Sequence, residues 1–506
     1  MSDALNLNLS MFRAYDIRTP AARLSAELAE RLARAEAVYF AEELGASTVV
    51  LGHDARSTGP RYLTIVSDAF RDAGLDVIYL PGVSSTSHFY YAAMRFPEAA
   101  AVMVGASHNP AGDTGQKIVG PGVDPIARAI GPRGGLDRIE ALYREGARRS
   151  APRRGEIHAV DLMTDYVEHS LNLAGIAPGQ LRGASILADF LFGAAGRELM
   201  LAFERAGANL DPLHFAADGN FPLGDPNPVK QPVIAEGLNR LRRGAYQLGF
   251  FFDGDGDRID VYRGDGSYLS SSFVYAAILP QILARCGRTG ARVFADLKSN
   301  PLAVIEMARA GVTVDVIRNG HSQIKKSLSD DAESLGAVEE SAHFYEAFDA
   351  PIGLGRFCTE NTLYIALLVA RVALEEPERL EQLARIQEST AREREWGYIF
   401  PSDALRARAL DAVKEQFLGE GFAAMERMRN GMDLESTLMR RGLPFDVNRE
   451  SRLATDWLQI CQRVSQSEDR LARWEVVGAS RELVAETKRR IATTVATFEA
   501  GEEYQG

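Results

Sequence analysis

The hydrophobic residues of this chain recur in three segments that share one order of elements. In each segment a short apolar run ends in aspartate, a stretch with helical periodicity follows, and glycine introduces a second apolar run. The paired runs are 47–54 with 74–80, 184–189 with 207–215, and 291–296 with 311–317. This order predicts three strand-helix-strand units, and hence a threefold repeat of one α/β domain.

A third apolar run follows each pair and opens onto a polar loop. These runs are 101–104, 248–252 and 335–338. Open α/β sheets bind ligands beyond the carboxyl ends of their strands, so we expect the three loops to carry the chemistry and to face one cleft.

Changes in composition predict where the domains end. Residues 144–155 hold five arginines and a proline, and they mark the first boundary. The chain departs from the repeat after about residue 385 and then shows two strand-like runs, 457–464 and 471–477. We predict three similar α/β domains with mixed sheets and a C-terminal α+β domain, with the bounds 1–152, 153–262, 263–382 and 383–506.

Composition narrows the class of function. The chain has 506 residues, 46% hydrophobic and 25% charged, which is typical of a globular protein with several domains. Its net charge of −12 argues against binding nucleic acid or an anionic membrane surface, so an anionic substrate would need a locally positive site. The sequence shows no leader pattern and no apolar segment long enough to span a membrane. We expect a cytoplasmic monomer or homodimer.

The three cysteines, Cys286, Cys358 and Cys461, lie far apart in the sequence and show no metal-ligand spacing. We predict buried free thiols rather than disulfides or a zinc site.

Residues 250–258 indicate a metal site. Three phenylalanines lead into carboxylates spaced two apart, with glycines between them: Asp253, Asp255 and Asp257. Oxygen-rich loops of this kind bind Mg²⁺ or Ca²⁺. An EF-hand would need glycine and glutamate where Arg258 and Gly264 stand, so that reading fails. The remaining alternative is an exposed acidic turn, which the apolar run before the loop disfavours.

Ser107 stands at a sharp strand exit, because the Asn-Pro pair at 109–110 forces the chain to turn. The asparagine breaks the Gly-x-Ser-x-Gly pattern of a hydrolase, which makes acyl transfer a minor interpretation. Phosphoryl transfer fits better, since the aspartate loop would supply a cation. The donors would be His108, Lys117 and Arg258. A capping serine in a turn is the other interpretation.

Together the serine loop and the aspartate loop resemble those of the α-D-phosphohexomutases, the family of phosphomannomutases and phosphoglucomutases. Further stretches that match the family, in the family's order, are 12–18, 218–222, 319–325 and 339–343. The resemblance covers almost the whole chain and implies four domains around a central cleft.

The resemblance also implies a reaction. The enzyme would be an intramolecular phosphotransferase that interconverts hexose 1-phosphate and hexose 6-phosphate, with mannose or glucose as the sugar. Ser107 would carry the phosphoryl group, and Mg²⁺ would be held by a phosphate oxygen of Ser107 with Asp253, Asp255 and Asp257. The phosphoryl group would pass to the sugar, giving a hexose 1,6-bisphosphate that turns around and also serves as activator.

Further site residues follow from the resemblance. The candidates for the proton carrier are Lys117, His321 and His343. Glu339 and Ser341 match the loop that binds sugar hydroxyls, which favours mannose and glucose. Family positions near the substrate are matched by Tyr15, Arg18, Lys298, Gly320 and His321.

The fourth domain diverges most from the family. The loop for the distal phosphate is matched by Arg463, Ser465 and Ser467, whereas Gln466 and Asp469 differ from the family pattern. Elsewhere Phe192 replaces asparagine and Ala342 replaces glycine.

These departures leave alternatives open. They are a phosphoglucosamine mutase, a hexose-bisphosphate synthase, a sugar-phosphate-binding protein that has lost turnover, or an esterase that uses Ser107.

Overall fold

The computed structural model describes residues 6–288, 290–349, 355–465 and 468–505. They form two compact units. The first unit takes its residues from 1–268, 320–332 and 343–375, and the second takes them from 269–319, 333–342 and 376–506. The four predicted domain bounds stay predictions.

The described strands are β1 Ile17–Pro20, β2 Thr48–His53, β3 Asp76–Tyr79, β4 Ala100–Val104, β5 Asp113–Val119, β6 Ile157–Ala159, β7 Ser185–Asp189, β8 Asn209–Leu213, β9 Leu248–Phe252, β10 Ile259–Arg263, β11 Tyr268–Leu269, β12 Arg292–Asp296, β13 Thr313–Ile317, β14 Ser334–Glu339, β15 His343–Asp349, β16 Arg356–Glu360, β17 Ala391–Ile399, β18 Ala423–Arg427, β19 Asp433–Arg441, β20 Leu458–Val464, β21 Leu471–Gly478 and β22 Glu503–Gln505. The described α-helices are α1 Ala26–Val38, α2 Gly59–Asp72, α3 Thr86–Arg95, α4 Leu136–Glu145, α5 Met163–Ala174, α6 Gly196–Ala206, α7 Gln231–Arg243, α8 Ser271–Cys286, α9 Pro301–Arg309, α10 His321–Asp330, α11 Thr362–Glu375, α12 Pro377–Glu388, α13 Asp403–Leu418 and α14 Arg481–Ala496.

The first unit contains two sheets built on one plan. Their strand orders are β1-β5-β4-β2-β3-β6 and β11-β10-β9-β7-β8. In the first sheet β2 pairs in parallel with both β3 and β4, and in the second β7 pairs in parallel with both β8 and β9. In each sheet the next strand along the chain is antiparallel: β5 pairs with β4, and β10 pairs with β9. The unit also contains the antiparallel pair of β15 and β16.

The second unit repeats the parallel half of this plan, because β12 pairs in parallel with both β13 and β14. The predicted threefold repeat is therefore confirmed. The apolar runs that revealed it are the buried strands: every residue of β4 and of β9 is buried. Central parallel strands are covered on both faces, which is why they read as continuous apolar runs.

The C-terminal part of the second unit is a six-stranded sheet with the order β18-β19-β20-β21-β17-β22. The sequence predicted β20 and β21 but missed the other four strands. Strands β17 and β19 carry charged side chains at short intervals, since their runs read AREREWGYI and DLESTLMRR. An antiparallel sheet with one face exposed to solvent can carry such charged side chains. The resulting sequence pattern is harder to recognise as a strand than the continuous apolar run of a buried strand.

Two of the three thiols behave as predicted. Cys358 and Cys461 are buried and free, and burial raises the pKa of Cys358 to about 11. The prediction is wrong for Cys286, which is exposed because it is the last residue of α8.

Across the described residues, none of the helices has the length and apolar character needed to cross a membrane.

Candidate active site

The aspartate loop follows the buried strand β9 in the first unit and gathers three carboxylates. Asp253, Asp255 and Asp257 are at most 2% exposed, and each offers an oxygen within 4.8 Å of the others. Ser107 follows β4, and its Oγ donates a hydrogen bond of 2.8 Å to Asp253 Oδ2. The sequence-predicted serine and metal loops therefore meet.

The two loops also touch through their backbones. A Cβ placed on Gly254 would lie 2.6 Å from the carbonyl oxygen of Ser107, so glycine is required at this position. Ser107 itself has a φ of 48°, in the left-handed region that serine rarely occupies. The serine loop is thus held in a strained form against the aspartate loop.

Lys117 on β5 provides positive charge inside the cluster. Its Nζ donates to Asp255 Oδ2 at 2.6 Å and also forms an ion pair with Asp257. Burial disfavours the ammonium, but Asp255 and then Asp257 outweigh it and raise the pKa of Lys117 well above its usual value.

The pKa values of Asp253 and Asp257 shift in opposite directions in this cluster. Burial raises the pKa of Asp253 well above its usual value, and the neighbouring carboxylates add to the effect. Burial acts in the same direction on Asp257, but Lys117 and then His343 outweigh it and hold the pKa of that carboxyl well below its usual range.

The donor set fits a hard divalent cation. Asp255 Oδ1 is buried and accepts no hydrogen bond within the described ranges of the chain. A buried carboxylate oxygen without a donor is costly, and a cation that prefers oxygen ligands would satisfy it. Asp253, Asp255, Asp257 and the oxygen on Ser107 would hold such an ion.

His343, the first residue of β15, completes one side of the cluster. Its Nε2 lies 3.3 Å from Arg258 Nε and 3.3 Å from Asp257 Oδ1. Without a proton Nε2 accepts from the arginine, and with a proton it donates to the carboxylate. This nitrogen is therefore placed to exchange a proton inside the site.

The other two predicted histidines are held neutral. Burial lowers the pKa of His108 well below its usual value, and Arg258 and Arg18 add to the effect. Its Nδ1 lies 3.3 Å from Ser107 Oγ. Burial also lowers the pKa of His321 well below its usual value, and the charge of Lys325 adds to the effect.

Of the predicted substrate positions in the first unit, Arg18 contacts the serine loop. Arg18 on β1 donates to Asn109 Oδ1 at 2.9 Å and to Asp16 Oδ2 at 2.7 Å. Tyr15 packs edge-on against His321, with their ring centroids 4.8 Å apart. Gly320 precedes α10 with a φ of 116°, which places His321 at the start of that helix.

The second unit contains a separate group of predicted residues. Lys298 Nζ lies 3.5 Å from Glu395 Oε2, and Arg463 on β20 donates to Glu395 Oε1 at 2.6 Å. Burial favours the protonated acid, but Arg463, Lys298 and Arg473 hold the pKa of Glu395 well below its usual range. Glu395 thus gathers three cationic side chains.

A second carboxylate lies at the predicted phosphate loop. Glu468 accepts a hydrogen bond from Ser465 Oγ and another of 3.0 Å from Arg473 Nη2. Arg473 is the cross-strand neighbour of Arg463 and also donates to Glu395 Oε1 at 2.6 Å. The predicted residue Ser467 lies outside the described residues.

The predicted sugar loop joins the same network. Glu339 ends β14 and is 4% exposed, and its Oε1 accepts from Asn319 Nδ2 at 3.0 Å. Asn319 also donates to Asp296 Oδ2, which lies 3.8 Å from Lys298 Nζ. Ser341 follows in the turn, and Ala342 has a φ of 71°, in the left-handed region that favours glycine.

Sequence reasoning missed Thr86, Glu395 and Arg473. Thr86 begins α3 and donates to Asp255 Oδ2 at 2.7 Å. Arg473 lies on β21, opposite Arg463, but that pairing register is not visible before the sheet is known. For Glu395, the one available indication was the alternation of arginine and glutamate in β17, which reads AREREWGYI.

Comparison with known proteins agrees with this architecture. Residues 9–130 match the family described as phosphoglucomutase/phosphomannomutase, alpha/beta/alpha domain I, and residues 164–266 match domain II of the same family. A phosphomannomutase from Vibrio cholerae serotype O1 is 29% identical over 347 residues, which cover 67% of this chain and 73% of that protein. A phosphomannomutase from Escherichia coli K12 is 27% identical over 420 residues, which cover 82% of this chain and 88% of that protein.

A solved structure supports the fold. A phosphoglucomutase/phosphomannomutase family protein from Burkholderia thailandensis superimposes with a TM-score of 0.76 over 97% of this chain and 98% of its own, at 22% sequence identity. The multi-domain α/β fold expected from the sequence is confirmed. Residues 9–130 and 164–266 therefore match domains I and II of the phosphoglucomutase/phosphomannomutase family, and the chain is a phosphotransferase of the mutase type.

Proposed function

We propose that this enzyme is a magnesium-dependent phosphohexomutase that interconverts the 1- and 6-phosphates of mannose or glucose. Ser107 carries the phosphoryl group and gives it to the bound hexose phosphate. The resulting hexose 1,6-bisphosphate turns around and returns its other phosphoryl group to Ser107. Free hexose 1,6-bisphosphate activates the enzyme by phosphorylating Ser107.

One observation carries this proposal: Ser107 Oγ lies 2.8 Å from Asp253 in a cluster of three buried carboxylates. A bound Mg²⁺ would offset negative charge on the transferring phosphoryl oxygens. An esterase would instead need its serine to donate to a base and would need donors for an oxyanion, whereas Ser107 Oγ donates its shorter hydrogen bond to a carboxylate of the cluster.

The chain's own residues supply the remaining chemistry. Arg258 donates its backbone N–H to Asp253 Oδ1 at 3.2 Å and fixes that carboxylate, while its guanidinium offsets charge nearby. His343 Nε2 is the candidate proton carrier that geometry favours, because it lies between Arg258 and Asp257. Lys117 and His321 are the alternatives.

Residues of the second unit would bind the sugar phosphate. Arg463, Arg473 and Ser465 offer the donors that a phosphate needs, and Glu339 offers acceptors for sugar hydroxyls. In this proposal Glu395 and Glu468 hold those donors until the substrate arrives.

The test is intact mass before and after glucose 1,6-bisphosphate is added. We expect the wild type to gain one phosphoryl group and Ser107→Ala to gain none and to lose mutase turnover, with hexose-phosphate binding kept within a few fold. Ser67→Ala is the matched control, because Ser67 is a buried serine on α2 whose Oγ makes no hydrogen bond within the described residues. Retained turnover in Ser107→Ala would refute the serine assignment.

A coupled assay with mannose 1-phosphate, glucose 1-phosphate and glucosamine 1-phosphate decides the substrate. A preference for the last would make the enzyme a phosphoglucosamine mutase, and accumulation of bisphosphate would make it a bisphosphate synthase. Cytoplasmic location and a monomeric or dimeric state stay predictions.

A further inference from the structure

Arg56 is a buried arginine that contacts the serine loop along most of its length. It follows β2 and is 1% exposed. Its Nη2 donates to the carbonyl oxygens of Ser107 at 2.8 Å and Asn109 at 2.7 Å. Its Nη1 donates to those of Pro110 at 2.5 Å and Asp113 at 3.1 Å. One guanidinium therefore binds four carbonyl groups between residues 107 and 113.

Asp54 fixes this guanidinium from the other side. Its Oδ2 accepts from Arg56 Nε at 3.1 Å, and its Oδ1 accepts from the Arg56 backbone N–H at 2.9 Å. The same Oδ2 accepts from the backbone N–H of Ala106, the residue before Ser107, at 3.1 Å. Asp54 and Arg56 thus hold the loop on both sides of the serine.

The serine needs such support, because its φ of 48° is unfavourable for a residue with a side chain. A strained backbone persists only where its surroundings over-determine it. The planar fork of arginine, with five N–H donors, can bind several carbonyl groups at once, which a lysine ammonium cannot do with the same geometry.

The second repeat covers the same arginine. The Phe221 ring centroid lies 5.2 Å from the guanidinium carbon of Arg56. A Cβ on Gly219 would lie 2.2 Å from the backbone nitrogen of Ser57, so the 218–221 turn is packed against the Arg56 backbone. The arginine therefore lies between the serine loop and a turn of the repeat that carries the aspartates.

We propose that Arg56 is a positioning residue for phosphoryl transfer, which keeps Ser107 Oγ in line with the aspartate cluster and is itself fixed by Phe221. This rests on the proposed role of Ser107 as phosphoryl carrier. The guanidinium of Arg56 bonds to the loop backbone and to Asp54 and lies against the Phe221 ring, so it acts on the rate of transfer through the position of the serine and not through substrate affinity.

The experiment measures the single-turnover rate at which glucose 1,6-bisphosphate phosphorylates Ser107, by quenched-flow intact mass. Misplacing a reacting group by about 1 Å costs roughly 100-fold, so we expect Arg56→Lys to slow transfer by about 10- to 100-fold. Binding of glucose 6-phosphate to the unphosphorylated protein should stay within about threefold of wild type.

Arg31→Lys is the matched control. Arg31 also donates to backbone carbonyls, of Tyr143 at 2.7 Å and Arg144 at 2.9 Å, and its guanidinium carbon lies 5.7 Å from the Tyr143 ring centroid. We expect its transfer rate to equal that of the wild type, because it contacts neither active loop.

A wild-type transfer rate in Arg56→Lys overturns the proposal, and so does an equal loss in Arg31→Lys, which would indicate a general effect of removing a guanidinium that binds backbone carbonyls. If Arg56→Lys does not fold, Phe221→Leu decides instead: a slower transfer with unchanged binding supports the proposal, and an unchanged rate refutes it. Failure of the wild type itself to gain a phosphoryl group would defeat the proposed function first, which distinguishes the two.

Discussion

The aspartate cluster of the first unit and the arginine group of the second unit are opposite in charge but similar in construction. In the first, the cluster of Asp253, Asp255 and Asp257 includes one lysine ammonium, which contacts Asp255 and Asp257. In the second, Lys298, Arg463 and Arg473 gather around Glu395. In each region several side chains of one charge surround a side chain of the opposite charge.

This difference teaches what each region is built to bind. The ammonium of Lys117 occupies the carboxylate cluster in the way a metal cation would, and the carboxylates of Glu395 and Glu468 occupy the arginine group in the way a phosphate would. Paired opposite charges spare each region the cost of an uncompensated buried charge.

The largest effect on either region is expected for Asp255→Ala, in the aspartate cluster. We expect Mg²⁺ binding and turnover to fall together by roughly 1,000-fold, because direct loss of a carboxylate ligand exceeds the 10- to 100-fold cost of losing an outer contact. Titration calorimetry with Mg²⁺ and the coupled mutase assay measure the two effects. Asp265→Ala is the control, since Asp265 is an exposed carboxylate in the next turn. Full activity in EDTA would contradict this prediction.

The next prediction concerns the second region, where Asp296→Asn tests the pKa of a buried carboxyl. Burial raises the pKa of Asp296 from 3.8 to about 6, and Lys298 only partly opposes it. A raised folded-state pKa means that this carboxyl stabilises the fold below its unfolded pKa, and that the stabilisation is lost as pH rises through about 6.

We therefore expect the free energy of unfolding of Asp296→Asn, relative to the wild type, to increase by up to about 3 kcal/mol between about pH 4 and about pH 7. Urea unfolding followed by tryptophan fluorescence measures this, because all three tryptophans, Trp396, Trp457 and Trp474, belong to the second unit. The exposed Asp411 gives the control variant Asp411→Asn. An equal pH dependence in wild type and Asp296→Asn would show that the pKa of this carboxyl is the same in the folded and unfolded states.

The smallest effect is expected for Arg463→Met, which removes one cation from the arginine group of the second unit. We expect KM for the hexose phosphate to rise roughly tenfold with kcat changed far less, because one charge-assisted contact is lost while Arg473 and Lys298 remain. Steady-state kinetics measure the split. Arg427→Met on β18 is the control, since the side chain of this exposed arginine bonds, within the described part of the chain, only to the carbonyl oxygen of Gly431 at 2.9 Å. A fall in kcat alone would assign Arg463 to the chemical step.

The two regions also differ in how far the sequence could predict them. The three aspartates of the cluster lie within five residues of one another after a buried apolar strand, so local spacing alone was enough to predict a metal site there. Ser107 was found for the same reason, because the Asn-Pro pair marks a turn at a strand end.

The partners of Arg463 could not be predicted in this way. Glu395 comes from β17 and Arg473 from β21, and only the register of the antiparallel sheet brings them together. Arg56 escaped notice for a related reason: its bonds reach carbonyl groups about 50 residues away, and backbone acceptors leave no mark on a side-chain pattern. Long-range contacts to the main chain are the part of a site that sequence patterns describe least.

The exposed end of α8 has a practical consequence. Cys286 is solvent-accessible while Cys358 and Cys461 are buried, so a maleimide dye would modify one position of the native enzyme without any engineering. Because that position is in the second unit, the attached fluorophore would report on the half of the protein that carries the arginine group. Titration of the labelled enzyme with hexose phosphate would then follow ligand binding in real time, independently of turnover.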